Sequence, residues 1–340
     1  MLALLFLAAC SPERAAPAVE PLVASLSGEA FGTTWTAKWH GVPLEEAVAH
    51  AAIERTLERI DQRMSTWRED SELSRVREGG RVHVSGETAH VVEAALALST
   101  VTGGAFDPTV QPLMEAWGFQ GSRGPEAPSM DILERARAQV GWQRVSVTHA
   151  DGESFIDAGG AALDLSAIAK GHAVDEVARA LMDLGAPHLM VEIGGEVRTH
   201  GVAPGGGAWR LGIDLPKVTS HEGRPLAGVI SMENGALATS GNYRNKREYS
   251  GQVVFHIMDP RIGKPASSPV GSVSVVAPDC RTADGWATAL MVLGLEEGRA
   301  LVEREPGLEA LWLLAEPESF RAEMTEGMKG LWADVSPKTP

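Results

Sequence analysis

Cysteine is almost absent: the 340-residue chain has two, Cys10 and Cys280. Two thiols so far apart can build neither a disulfide scaffold nor a Cys-type zinc site. Positive charge is also scarce. Thirty Lys and Arg stand against 45 Asp and Glu, a net charge of −15 with no basic run. Such a field repels a phosphodiester backbone, so nucleic acid is not the expected partner. The apolar run Met1 to Ala9 is far shorter than the ~20 residues that span a bilayer. Two hallmarks of common enzyme classes are missing as well. No G-x-S-x-G elbow supports Ser–His–Asp hydrolysis, and neither Gly194-Gly195 nor Gly205-Gly206-Gly207 forms the G-x-G-x-x-G of a dinucleotide fold. Both glycine clusters read as tight turns.

What remains is a folded body: 44% hydrophobic and 22% charged residues are globular proportions. Its length suits one large domain or two closely packed ones, and no composition break divides it. Leu7-Ala8-Ala9-Cys10-Ser11 resembles the bacterial lipobox, although no Lys or Arg precedes the apolar run. The expectation is a signal peptide over 1–9, acylation of Cys10, a Pro- and Ala-rich flexible tether over 10–24, and a catalytic body over 25–335. The protein is then lipid-anchored in a bacterial cell envelope, facing the periplasm. The alternative is an apolar tail with a chance cysteine.

Leu44, Val48, Leu57, Ile60 and Met64 recur at helical spacing after Pro43, predicting a helix over 44–64. Ser85 can cap a second helix that Gly103-Gly104 terminates, and a third runs over 129–140 from Ser129. Strands are expected at 144–148, 188–193, 209–214, 227–232, 252–258 and 271–276. Helices at 166–184 and 282–294 interrupt them. Consecutive strands imply hairpins, so the fold class is α+β, a mixed but largely antiparallel sheet packed against helices.

Four segments can carry chemistry, and each has a plainer structural reading. Thr102 to Pro108 (TGGAFDP) lets a flat ligand or phosphate approach the backbone; taken alone, it reads first as a helix C-cap and turn. In Asp164 to Gly171 (DLSAIAKG), Ser166 caps a helix and Lys170 sits one turn in, a setting that suits phosphate. There the alternative is a capped helix with a solvated lysine. Asp284 and Thr288, four apart, share one helix face and offer hard oxygens to Mg²⁺, or else Asp284 complements a helix dipole and Thr288 bonds back to the chain. His256, at a strand end beside Asp259 and within reach of Arg244 and Arg261, can serve as acid or base or can position a phosphate. It can also be purely structural.

In this order these segments resemble the ApbE family, the FAD:protein FMN transferases of bacterial envelopes. The likeness runs from about Gly28 to about Gly294. It includes Ala30-Phe31-Gly32-Thr33-Thr34, Met64-Ser65-Thr66-Trp67, Asp70 to Arg75, 102–108, 164–171 with Asp175, 191–196, 239–245, 256–260 and 283–290. The resemblance implies a T-fold-related α+β architecture. It implies Mg²⁺-dependent transfer of the FMN half of FAD to a threonine hydroxyl of an acceptor flavoprotein in an envelope electron-transfer complex, with release of AMP. Carried over by position, Phe31, Trp67, Ala105, Phe106, Asp107, Asp164, Lys170 and Ile257 contact FAD. Asp284, Thr288 and the carbonyl of Ala167 hold the metal, and His256 is the general base. The family usually has Met at position 31 and Tyr at 67, and some members have Asp at 287, where this chain has Ala287. Two other readings use the same pocket: an FAD pyrophosphatase giving FMN and AMP, and a non-catalytic FAD-binding lipoprotein.

Overall fold

Period-two alternation builds the frame. In the computed structural model, which describes residues 23–77, 79–120, 126–216, 225–242, 246–249, 251–316 and 319–334, eight strands form one sheet. They are β1 (Ala24–Ala30), β2 (Thr33–His40), β3 (His188–Ile193), β4 (Glu196–His200), β5 (Gly235–Gly241), β6 (Val270–Ala277), β7 (Glu309–Ala315) and β8 (Phe320–Met324). Spatial order follows chain order and every neighbouring pair is antiparallel. Cys10 and most of the expected tether lie outside the described residues, as do Tyr243, Arg244 and Asn245.

Successive side chains point to opposite faces, so the sheet supports two cores. Ala236, Ala238, Val273, Val275, Ala310 and Trp312 join the larger core, shared with the short helix Glu72–Arg77 and four longer helices. Val197, Leu237, Leu311 and Leu313 pack on the other face against strands Trp209–Asp214 and Leu226–Met232. The four longer helices are α1 (Glu46–Met64), α2 (Gly86–Val101), α3 (Ala169–Asp183) and α4 (Cys280–Val302). α4 lies along β5 and β6, α3 packs on α4, and α1 packs on α3. Among the described residues no helix is long and apolar enough to cross a membrane.

The expected elements are present with shifted ends. α1 buries Ala49, Ile53, Leu57, Ile60 and Met64 along one stripe. Ser85 caps α2 by accepting from the Thr88 amide. Gly103 and Gly104, at φ of 58° and 83°, close it with a Gly104 amide to Ser99 carbonyl bond of 2.8 Å. α4 is capped by Asp279 and broken at Gly294 (φ 76°), beyond which it continues to Val302. α3 and α4 meet through a glycine. A Cβ at Gly171 would lie 2.2 Å from the Cys280 carbonyl oxygen, so only glycine permits this approach.

Glu87 ties three helices together. It accepts hydrogen bonds from Arg59 and Arg63 of α1 and lies 3.0 Å from His172 Nε2 of α3, while Arg59 also reaches Glu176. Glu87, His172 and Glu176 have ligand atoms within 4.8 Å of one another, but the arginines already neutralise the carboxylates, which makes this an ion-pair network. Burial opposes ionisation of Glu87; the bond from His172 and the charges of Arg59 and Arg63 outweigh it and hold the pKa at about 2. A carboxylate with a depressed folded pKa stabilises the protein above its unfolded pKa of 4.5, and that stability is lost as pH falls toward 2. Glu87→Gln is therefore expected to cost on the order of 2 kcal/mol at pH 7. The difference from wild type should shrink between pH 4.5 and pH 2, as urea denaturation at a series of pH values would show.

Candidate active site

Three tight backbone features deliver the polar residues to one end of the sheet. Gly194 and Gly195, both at positive φ (64° and 112°), close the β3–β4 hairpin and place Glu196 at the first residue of β4. Phe31 and Gly32, at φ of 52° and 71°, close the β1–β2 hairpin. A side chain in the left-handed region costs about 1 kcal/mol, and here it sets the Phe31 ring on a cavity wall. The third feature corrects an expectation. Asp164 accepts from the Ser166 amide (2.8 Å) and from Gln120 Nε2 (2.8 Å), folding 164–168 into a turn. The helix therefore starts at Ala169 after Ile168; Ser166 does not cap it, and Lys170 is its second residue.

Two cavities meet at that residue. The first, of ≈ 350 Å³, is lined by Ala105, Phe106 and Asp107 from the segment after α2, by Asp164, Ala167 and Lys170, by His256 and Ile257, and by Asp284 and Thr288 of α4. The second, of ≈ 830 Å³, has Phe31 and Trp67 on its wall and is rimmed by Glu54, Glu58 and Asp61 of α1. Ser166 and Lys170 line both. Such a space suits an extended ligand with a flat group at each end and an anion between them.

Trp67 is 84% exposed, yet its loop is fixed. Ser65 Oγ accepts from the Trp67 and Arg68 amides, and Arg68 pairs with Glu58, Asp61 and Asp70. A rigidly presented, solvent-exposed indole at a cavity rim is a stacking surface.

The charged centre is Lys170. Its Nζ lies 3.3 Å from Glu196 Oε1 and 3.6 Å from Asp284 Oδ1, and the other Asp284 oxygen accepts from the Gly171 amide at 2.9 Å. Burial works against the ammonium charge, but Asp284 and Glu196 raise its pKa on balance and keep it protonated. Burial pushes the Glu196 carboxyl upward even against Lys170, and Asp284 adds to the shift. Asp284, 2% exposed, lies beyond the first turn of α4, which Asp279 caps, and so is not the dipole-complementing residue of the plainer reading. Thr288 Oγ1 lies 3.1 Å from Ser240 Oγ.

The remaining residues named from sequence differ in what they offer. Asp107 accepts with one oxygen from the Thr109 amide and hydroxyl of its own loop (2.8 and 2.6 Å) and with the other from the Trp142 amide of a distant segment (3.3 Å). Burial raises its pKa, with those bonds opposing. The strand expected over 252–258 is interrupted: Gln252–Phe255 and Met258–Asp259 are separate, and the break turns His256 and Ile257 toward the first cavity. The His256 ring meets Phe119 edge-on at 6.4 Å. Arg261 binds Asp259 and Glu297. Glu196 and Ser240 were given no role by sequence reasoning. The only local sign of Glu196 was a carboxylate directly after a two-glycine turn.

Asp284, Thr288 and Ala167 can supply a carboxylate, a hydroxyl and a carbonyl to one cavity. All are hard oxygen donors of the kind Mg²⁺ takes. A buried Glu196 Oε2 without a hydrogen-bond partner among the described residues marks the same wall as short of positive charge. The donor set fits a divalent cation.

A model of the ApbE family matches residues 31–312. Among curated proteins, the chain is 38% identical over 315 residues to an FAD:protein FMN transferase of Vibrio cholerae, covering 89% of this chain and 91% of that one. It is 32% identical over 314 residues to the FAD:protein FMN transferase of Escherichia coli K12, covering 90% and 88%. Among solved structures, the flavin transferase ApbE from Vibrio cholerae superposes with a TM-score of 0.80 at 36% identity, covering 92% of this chain and 99% of that one. The apo form of the Pseudomonas stutzeri flavinyl transferase ApbE gives a TM-score of 0.83 at 33% identity, covering 94% and 100%.

Proposed function

The chain belongs to the ApbE family, and we propose on that footing that it is an FAD:protein FMN transferase, moving the FMN half of FAD to a threonine hydroxyl of an acceptor flavoprotein and releasing AMP. The observation that carries this reading is Lys170, a protonated amine at the junction of two cavities with aromatic walls. FAD has the matching form: two ring systems joined through a pyrophosphate.

Phe31 and Trp67 enclose one ring system, and Phe106 and Ile257 form the apolar wall for the other. Lys170 meets the pyrophosphate between them. Asp284, Thr288 and the Ala167 carbonyl would hold Mg²⁺, which when bound neutralises the charge that builds on the phosphoryl oxygens. His256 accepts the proton of the acceptor hydroxyl as its oxygen attacks the FMN phosphorus. The bond from that phosphorus to the bridging oxygen breaks, and AMP leaves with the bridging oxygen as its own phosphate oxygen. Asp164 and Asp107 hold the backbone of the two loops that line the site.

The same reading assigns the protein to the bacterial envelope, anchored by a lipid on Cys10 and facing the periplasm, where an electron-transfer flavoprotein subunit is the acceptor. Chromatographic quantification of AMP and free FMN, with and without a threonine-bearing acceptor, tests the activity. The transferase reading expects AMP formation to depend on the acceptor, with little free FMN. Equal amounts of AMP and FMN without acceptor would identify a pyrophosphatase, and unchanged FAD in both reactions would leave a binding protein.

A further inference from the structure

Two carboxylates face one ammonium. Lys170 Nζ lies 3.3 Å from Glu196 and 3.6 Å from Asp284, and all three residues line the first cavity. Glu196 is 4% exposed, so water does little to screen it. It is held in place by the Ile193↔Glu196 pairing across the two-glycine turn. One of its oxygens, Oε2, has no hydrogen-bond partner among the described residues. With Glu196 ionised, the wall that receives a pyrophosphate carries one excess negative charge, and its lysine is already engaged twice. Between charges a few ångströms apart and poorly solvated, repulsion is several times stronger than in water.

A cation on Asp284 changes both facts at once. It reverses the sign of the wall and takes away one of the two carboxylates that compete for Lys170. Glu196 then remains as the single partner that keeps the ammonium at the junction of the cavities.

We infer that Glu196 makes pyrophosphate binding contingent on a divalent cation, so that the cation binds first and the dinucleotide enters only afterwards. The inference rests on the transferase reading for the identity of the ligand. Its charge argument concerns this chain's own residues. Glu196 acts here as a positioning and gating residue, with no part in bond making.

The test is a binding measurement. FAD affinity is read from flavin fluorescence for the wild-type protein, Glu196→Gln and Glu196→Asp, each in EDTA and in saturating Mg²⁺. Wild type should bind FAD at least on the order of tenfold more tightly with Mg²⁺. Glu196→Gln keeps the size and an acceptor for Lys170 but loses the charge. Its affinity in EDTA should rise by on the order of tenfold while its Mg²⁺ affinity stays near wild type. Glu196→Asp retains the charge and should retain the cation requirement, and it carries the test if the glutamine variant does not fold. Equal weakening of Glu196→Gln in both conditions would overturn the inference, leaving Glu196 as a mere prop for Lys170. Wild-type binding unaffected by Mg²⁺ would overturn it too, while leaving the transferase reading intact. A wild-type protein that bound no FAD in either condition would remove the transferase reading itself.

Discussion

Asp284→Asn is expected to lower the rate of FMN transfer by about three orders of magnitude, equivalent to ~4 kcal/mol of lost transition-state stabilisation. The substitution preserves volume and an acceptor for the Gly171 amide, so the α3–α4 contact survives. What disappears is the only carboxylate among Asp284, Thr288 and Ala167, the residues that would hold the cation. Removing a buried charge also lifts a desolvation penalty, and Lys170 keeps Glu196 as its partner. The unfolding free energy should therefore change by no more than about 1 kcal/mol. Initial rates measured against Mg²⁺ concentration check this: the variant should lack the response of the wild type. A full rate at limiting Mg²⁺ would show that the cation is held elsewhere.

His256→Ala should lower kcat by roughly 10²- to 10⁴-fold, the usual contribution of a positioned base. FAD affinity should hardly change. His256 reaches the cavity from the break between two short strands, on a different element from Lys170, Asp284 and Glu196. Its loss leaves the charged centre unaltered. A histidine that only supports the wall would produce the opposite pattern, weaker FAD binding with kcat nearly preserved.

These expectations depend on residues that were unequally legible in the sequence. Asp284 and Thr288 could be paired because helical spacing alone puts residues four apart on one face. α1 and α2 were legible for similarly local reasons, an apolar stripe in one and a serine cap with a glycine stop in the other. β1 and β5 were not. Their sequences, ASLSGEA and GALATSG, consist mainly of small and polar residues with little β-branched content, and they become strands because their neighbours pair with them. The start of α3 was misplaced by a local competitor: the Asp164 carboxylate captures the Ser166 amide and delays the helix by three residues.

The partnership of Glu196 with Lys170 could not be read at all, because it joins a hairpin turn to a helix start across the fold. The same holds for Glu87, whose partners come from two other helices. The pairing of Arg261 is local by contrast. A carboxylate two residues away, Asp259, captures the guanidinium first. Local chemistry was visible in the sequence, whereas the charge balance of the cavity emerges only when distant segments meet.

The most direct test of the central claim is intact-mass spectrometry of a threonine-bearing acceptor domain after incubation with the protein, FAD and Mg²⁺, alongside an acceptor whose threonine is replaced by valine. The account predicts one FMN adduct on the threonine acceptor, none on the valine form, and AMP in amounts equal to the adduct. An unmodified threonine acceptor, known to be flavinylated by another transferase, in a reaction that nevertheless consumed FAD would contradict it.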